Sequence, residues 1–290
     1  MRMPIDLFRL AVCFYILSSS SQPIFAIEPW ADKRLTITNG LELWLDASKE
    51  IAARSQTEPR RARTQSTSKL IYDGPLDLWH DASGNGHHVR QLVSAARPRF
   101  VRTTAGATVR FDGVDDFMAV TGLDKETSEA TIFILGAPRS NRNIFGAFLA
   151  LNREGANDFQ TGLNVDMANG SKTKFDFLNV EGAGFVGVQN LMTSSVPFGE
   201  THVISIIAEA GTNDTRVWID GVGQDKFGRQ PRAAKKSREP SERLQKNGEA
   251  AFGFDQVTVG ARFFSNVAEP AHVQGFFDGD LQEVLIYNRI

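Results

Sequence analysis

The chain has 290 residues, with 32 basic against 34 acidic side chains and a formal net charge of −2. That balance supplies no general attraction to nucleic acid or anionic lipid, and no stretch is apolar enough for long enough to make a membrane-spanning helix. The single cysteine, Cys13, leaves the rest of the chain without a disulfide, a thiolate zinc site, a cysteine nucleophile or a c-type haem attachment.

Taken in chain order, Arg2 and Arg9 precede a short apolar run, Leu10 to Leu17, and a small-residue region ending at Phe25-Ala26. This pattern predicts a signal peptide over residues 1–26, cleaved after Ala26, and hence a secreted, periplasmic or cell-surface protein. Residues 27–290 are long enough for one large domain. Leu41 to Asp46 alternates apolar and polar side chains and predicts a strand. Residues 49–69 are rich in Arg, Gln, Ser and Thr, with few apolar anchors, and predict a polar surface loop. Asp81-Ala82-Ser83-Gly84-Asn85-Gly86-His87-His88 predicts a tight turn. Val109 to Phe117 predicts a strand running into an Asp/Gly turn. Thr131–Leu135, His202–Ile207, Arg216–Ile219 and Val257–Gly260 are short β-branched or aromatic runs, hence strands. Asp220-Gly221 tolerates positive φ and predicts a hairpin turn. Residues 224–249, with Lys235-Lys236 and Arg243, predict a second polar, basic insertion, and Asp280 to Arg289 predicts the last strand. No long segment keeps apolar residues at i, i+3, i+4 and i+7. Many strands and few helices predict an all-β, two-sheet antiparallel sandwich.

Four of these segments carry a resemblance. Leu43-Trp44-Leu45-Asp46, Asp81 to His88, Phe111-Asp112-Gly113-Val114-Asp115-Asp116-Phe117 and Asp280-Leu281-Gln282-Glu283-Val284-Leu285-Ile286-Tyr287-Asn288-Arg289 occur in this order. Together they resemble the laminin-G-like, concanavalin A-like jelly-roll domains of secreted bacterial proteins, over Gly40 to Arg289. The resemblance implies a jelly roll, and recognition of a glycan or another extracellular polymer through rim loops. Related domains also occur beside catalytic modules. A structural or accessory role next to neighbouring domains of a longer chain is therefore the second expectation.

The resemblance further implies calcium as a candidate cofactor. Asp81 and Asn85 would offer hard oxygens, joined by Asp278 or Asp280 if the terminal strands meet. The alternative is an Asx turn in which Asp81 and Asn85 bond the backbone. His80, His87 and His88 lack a fourth ligand at zinc spacing. Trp79, beside His80 and the Asp81 turn, is the candidate sugar-stacking platform, with a core or loop-anchoring role as its alternative. Trp44 and Trp218 sit in apolar alternation and predict core positions. The resembling hydrolases carry Glu-x-Asp-x-x-Glu on one strand, and no such run occurs here; Asp124, Glu126 and Glu129 come nearest, in the wrong order. No phosphate loop or nucleophile-elbow pattern points to a nucleotide or a hydrolytic serine. The expectation is a non-catalytic module, with a glycoside hydrolase using carboxylates from distant strands as its alternative.

Overall fold

The computed structural model describes residues 26–57, 73–104, 106–142, 144–212, 214–224 and 250–290. The expected signal peptide apart from Ala26, the second part of the first insertion and nearly all of the second lie outside the described residues. The principal strands are β1 (Leu41–Asp46), β2 (Arg99–Thr103), β3 (Gly106–Asp112), β4 (Met118–Val120), β5 (Glu129–Ser140), β6 (Ala147–Asn152) and β7 (Leu163–Asp166). They continue as β8 (Asn179–Gly182), β9 (His202–Glu209), β10 (Arg216–Ile219), β11 (Gln256–Val259), β12 (Arg262–Phe264), β13 (His272–Gln274) and β14 (Asp278–Tyr287).

Two antiparallel sheets form a sandwich. In the larger, β10, β9, β5, β14, β3 and β2 lie in that order, and β1 also pairs with β14. In the smaller, the order is β8, β7, β6, β11 and β4, followed by Val89–Arg90 and Leu78–Trp79. Each predicted strand is present, and Asp220 and Gly221, with φ of 53° and 77°, turn β10 back into the short strand Val222–Gly223 that pairs with it. Side chains alternate across the larger sheet as the pleat requires. Leu43, Leu45, Ile132, Ile134, Ile204 and Ile206 point into the core. There they meet Leu149, Leu151, Leu163, Val165, Val257 and Val259 of the smaller sheet.

The last strand organises this arrangement. One side of β14 pairs with β5 along most of its length; the other pairs first with β3, through Asp278 to Leu281, and then with β1, through Glu283 to Tyr287. The β5 register slips between Leu281 and Glu283, leaving Gln282 as an extra residue. A bulge of one residue reverses the in–out parity of the strand beyond it. Leu281, Val284 and Ile286 therefore all reach the core, while Glu283, Leu285 and Tyr287 lie on the outer face.

Two expectations need correction. Residues 49–69 are not a loop throughout, because Glu50–Thr57 forms a helix, α1. Its buried face carries Ala53 and the ion pair Arg54–Glu50 at 2.7 Å, so charge pairing stands where an apolar stripe would have signalled a helix. Trp218 is not a core residue: Val217 and Ile219 take the inward positions of β10, and Trp218 sits half-buried on the outer face.

Candidate functional site

The Asp81 turn is a structural clamp. Asp81 is fully buried and accepts four hydrogen bonds: from the N–H groups of Trp44, Ser83 and His87, each at 2.9 Å, and from the Ser83 hydroxyl at 2.8 Å. Asn85 turns its amide nitrogen inward and donates to the carbonyls of Leu41 at 2.8 Å and Glu42 at 3.1 Å. Both residues tie the loop to β1. Their oxygens do not converge on a cation as the calcium expectation required. Asp278 is also elsewhere. It lies opposite Asp112, whereas Asp81 bridges to Leu45, itself opposite Val284. Six residues of strand separate the two places, about 20 Å at the usual rise. The Asp278 carboxylate is held by Arg142 at 2.8 Å and by the Ser140 hydroxyl.

Trp79 is likewise displaced from its expected role. It belongs to the main core and has no exposed surface, so it offers no stacking face. The histidines around it are engaged. His80 pairs through Nδ1 with Glu50 at 2.9 Å, His87 through Nδ1 with the Glu42 carbonyl, and His88 accepts the Asp81 N–H.

Carboxylates do gather at the third motif. The ligand atoms of Asp112, Asp115 and Asp116 lie within 4.8 Å of one another. Gly113, at φ +74°, closes this turn against Asp278, where a Cβ would stand 2.8 Å from the Asp278 Cβ. Burial, and then the Asp112 charge, push the Asp116 carboxyl up to about 6. Among the described residues, these three offer a clustered set of carboxylate oxygens of the kind a hard cation takes. Three aspartates within five residues were the signal for them.

A concave region lies on the outer face of the larger sheet. Residues 27–38 run over this face, anchored by Trp30 and Ala31 against Leu41, Trp44 and Tyr287. The Tyr287 hydroxyl donates to the Ile37 carbonyl at 3.0 Å. Between this segment and the sheet lie two adjoining cavities of about 490 and 500 Å³ that share Arg34, Leu35 and Glu283. The first is polar, with Asp32, Asp46, Ser48 and Gln282 in its wall. The second is apolar, with Ile37, Phe133, Leu285 and Tyr287. Phe133 is 36% exposed and meets Tyr287 edge-on, ring centres 6.2 Å apart, so one aromatic ring keeps an open face in the groove.

The register of β1 on β14 puts Asp46 directly opposite Glu283. Glu283 accepts the Trp44 indole N–H at 2.7 Å, and Asp46 accepts the Ser48 N–H at 2.8 Å. Burial raises both carboxyls above their ordinary range, and the Asp46 and Asp32 charges add to the effect at Glu283. Arg34 has the reverse effect on Asp32, whose carboxyl it holds well below the usual range from 2.7 Å. Sequence reasoning missed this groove because its walls come from segments far apart in the chain: residues 32–48, 106–107, 131–135 and 282–290.

No protein-family model matches the sequence, and no curated protein matches it. Among solved structures, Trypanosoma rangeli sialidase in complex with sialic acid matches at 10% identity and a TM-score of 0.47, over 86% of this chain and 31% of that one. Domain 4 of AbnA, a GH43 extracellular arabinanase from Geobacillus stearothermophilus in complex with arabinotriose, matches at 12% identity and a TM-score of 0.45, over 85% of this chain and 91% of that one. Botulinum neurotoxin type C, whose cell entry depends on two ganglioside molecules, matches at 9% identity and a TM-score of 0.41, over 77% and 49%. The chain spans less than a third of the sialidase's length.

Proposed function

We propose that this protein is a secreted, non-catalytic glycan-binding module of the laminin-G-like type, and that its ligand lies in the groove between residues 27–38 and the outer face of the larger sheet. One observation carries the proposal: a groove with an open aromatic face at Phe133 in one part, the Asp46 carboxylate in the other and Glu283 lining both. Sugars present apolar faces that stack on aromatic rings and hydroxyls that donate to carboxylates. The calcium-assisted form of the proposal assigns the ion to the Asp112, Asp115 and Asp116 turn rather than to Asp81.

A glycan array followed by calorimetric titration, with and without a chelator, tests this reading. Phe133→Ala is expected to weaken binding by about tenfold, in keeping with loss of an aromatic contact. Absence of binding to every polysaccharide on the array overturns the proposal. Unchanged binding and melting with a chelator removes calcium from it.

A second reading has its own observation. Directly opposed residues on neighbouring antiparallel strands hold their Cβ atoms about 5 Å apart. Asp46 and Glu283 are such a pair, and retaining glycosidases hold their two carboxyl groups about 5 Å apart. Hydrolysis of a bound glycan, abolished in Glu283→Gln and in Asp46→Asn, would make the groove an active site. Intact glycan recovered after prolonged incubation with the wild type leaves it a binding site.

A further inference from the structure

Resting on the proposal of a glycan in this groove, we infer that its polar end selects sugars bearing a free amino group, as in polymers of glucosamine, over their N-acetylated and acidic counterparts. Three carboxylates, Asp32, Asp46 and Glu283, line the same cavity. Among the described residues, only Asp32 has a cation in direct contact. Arg34 and Lys49 both contact Asp32, at 2.7 and 3.3 Å, and their charges reach Asp46 and Glu283 only through space, so three carboxylates share two cations. Asp46 is only 8% exposed, and among the described residues Ser48 is its sole hydrogen-bonding partner. Glu283 has the Trp44 indole N–H on Oε1 and no other partner among them.

Two facing carboxylates thus line the cavity with no cation in contact among the described residues. A largely buried carboxylate with no cation in contact gains most from a charged donor. A protonated amine brings that charge and three N–H donors in one compact group. An acetamido group brings one donor and no charge, and a uronate or sialate brings repulsion. Neighbouring aromatic and apolar surface at Phe133, Leu285 and Ile37 accommodates the adjoining sugar ring. The groove therefore matches an amino-sugar oligomer at both ends.

The test compares three hexamers by calorimetry at pH 6: glucosamine, N-acetylglucosamine and galacturonate. The wild type is expected to bind the amino hexamer at least tenfold more tightly than the acetylated one, and the galacturonate hexamer least. In the double variant Asp46→Asn, Glu283→Gln, checked for folding by its melting curve, that ratio is expected to collapse towards one. Equal or tighter binding of the acetylated hexamer overturns this inference and leaves glycan recognition standing. A preference that survives in the double variant overturns it too, since the amine is then read by another acidic surface. No binding of any hexamer, nor of any polysaccharide on the array, overturns the inference together with the function it rests on.

Discussion

Arg262→Met is expected to cost the protein about 3–5 kcal/mol of folding stability, the usual penalty for breaking a buried ion pair from one side. Arg262 opens β12 and is almost wholly buried. Its guanidinium reaches Asp158 at 2.7 Å, Asp166 at 3.0 Å and Glu181 at 3.3 Å, which come from three segments: the short helix Asp158–Thr161, β7 and β8. The Phe145, Phe159 and Phe264 rings surround the same group, with the Phe264 centre 4.3 Å from its central carbon. Methionine fills the volume and leaves three carboxylates without their cation. Lysine is a poor substitute, because a point charge cannot meet the three acids in the plane of a guanidinium fork.

A pH signature separates this mechanism from simple loss of packing. Burial pushes the Asp166 carboxyl up to about 6; Arg262 pulls the other way, and the Glu181 charge adds to the rise. A raised carboxyl keeps its proton in the folded state over a range where the unfolded chain has lost it. Stability therefore falls as pH rises from about 4 to about 6 and levels off above. Without Arg262 the proton is held to still higher pH, so the window extends upward. The deficit of Arg262→Met is then smaller at pH 5 than at pH 8 in urea unfolding curves. Equal deficits at the two values, or a loss below about 1 kcal/mol, would show that the carboxylates do not depend on Arg262.

The strands were legible in the sequence because alternation survives in them. Ile132 and Ile134, Ile204 and Ile206, or Leu43 and Leu45 announce the buried face without help from the rest of the chain. Asp220-Gly221 announces its turn for an equally local reason. What stayed hidden depends on partners far away. The α1 helix buries Glu50 and Arg54 in place of aliphatic residues, and the Arg262 network draws on acids from residues 158 to 181. The groove joins Trp44 to Glu283 across 239 positions, and only the Gln282 bulge turns Glu283 outward. Asp81 and Asn85 show the limit of composition. The same oxygens suit a cation or a backbone, and four N–H and O–H donors decide for the backbone here.

Trp79 provides the other large effect. Trp79→Ala is expected to lose about 3–5 kcal/mol, the range for emptying a large aromatic from a core, with no change in glycan affinity of the folded fraction. A two-residue strand, Leu78–Trp79, has too little alternation for the sequence to say which way the indole points. It points into the core, where its Nε1 has no hydrogen-bond partner among the described residues. Trp79→Phe removes that buried, unpaired N–H along with some volume, and the two changes act in opposite directions. It is therefore expected to cost less than half as much as the alanine variant in thermal or urea unfolding. Phe133→Ala is the converse case, because its ring is partly exposed on the groove and contributes little to the core. Its melting temperature should stay within a few degrees of the wild type while glycan affinity falls about tenfold. A Trp79 variant that folds but loses binding, beside a Phe133 variant that keeps it, would move the stacking surface off the sheet face and back to the Asp81 turn.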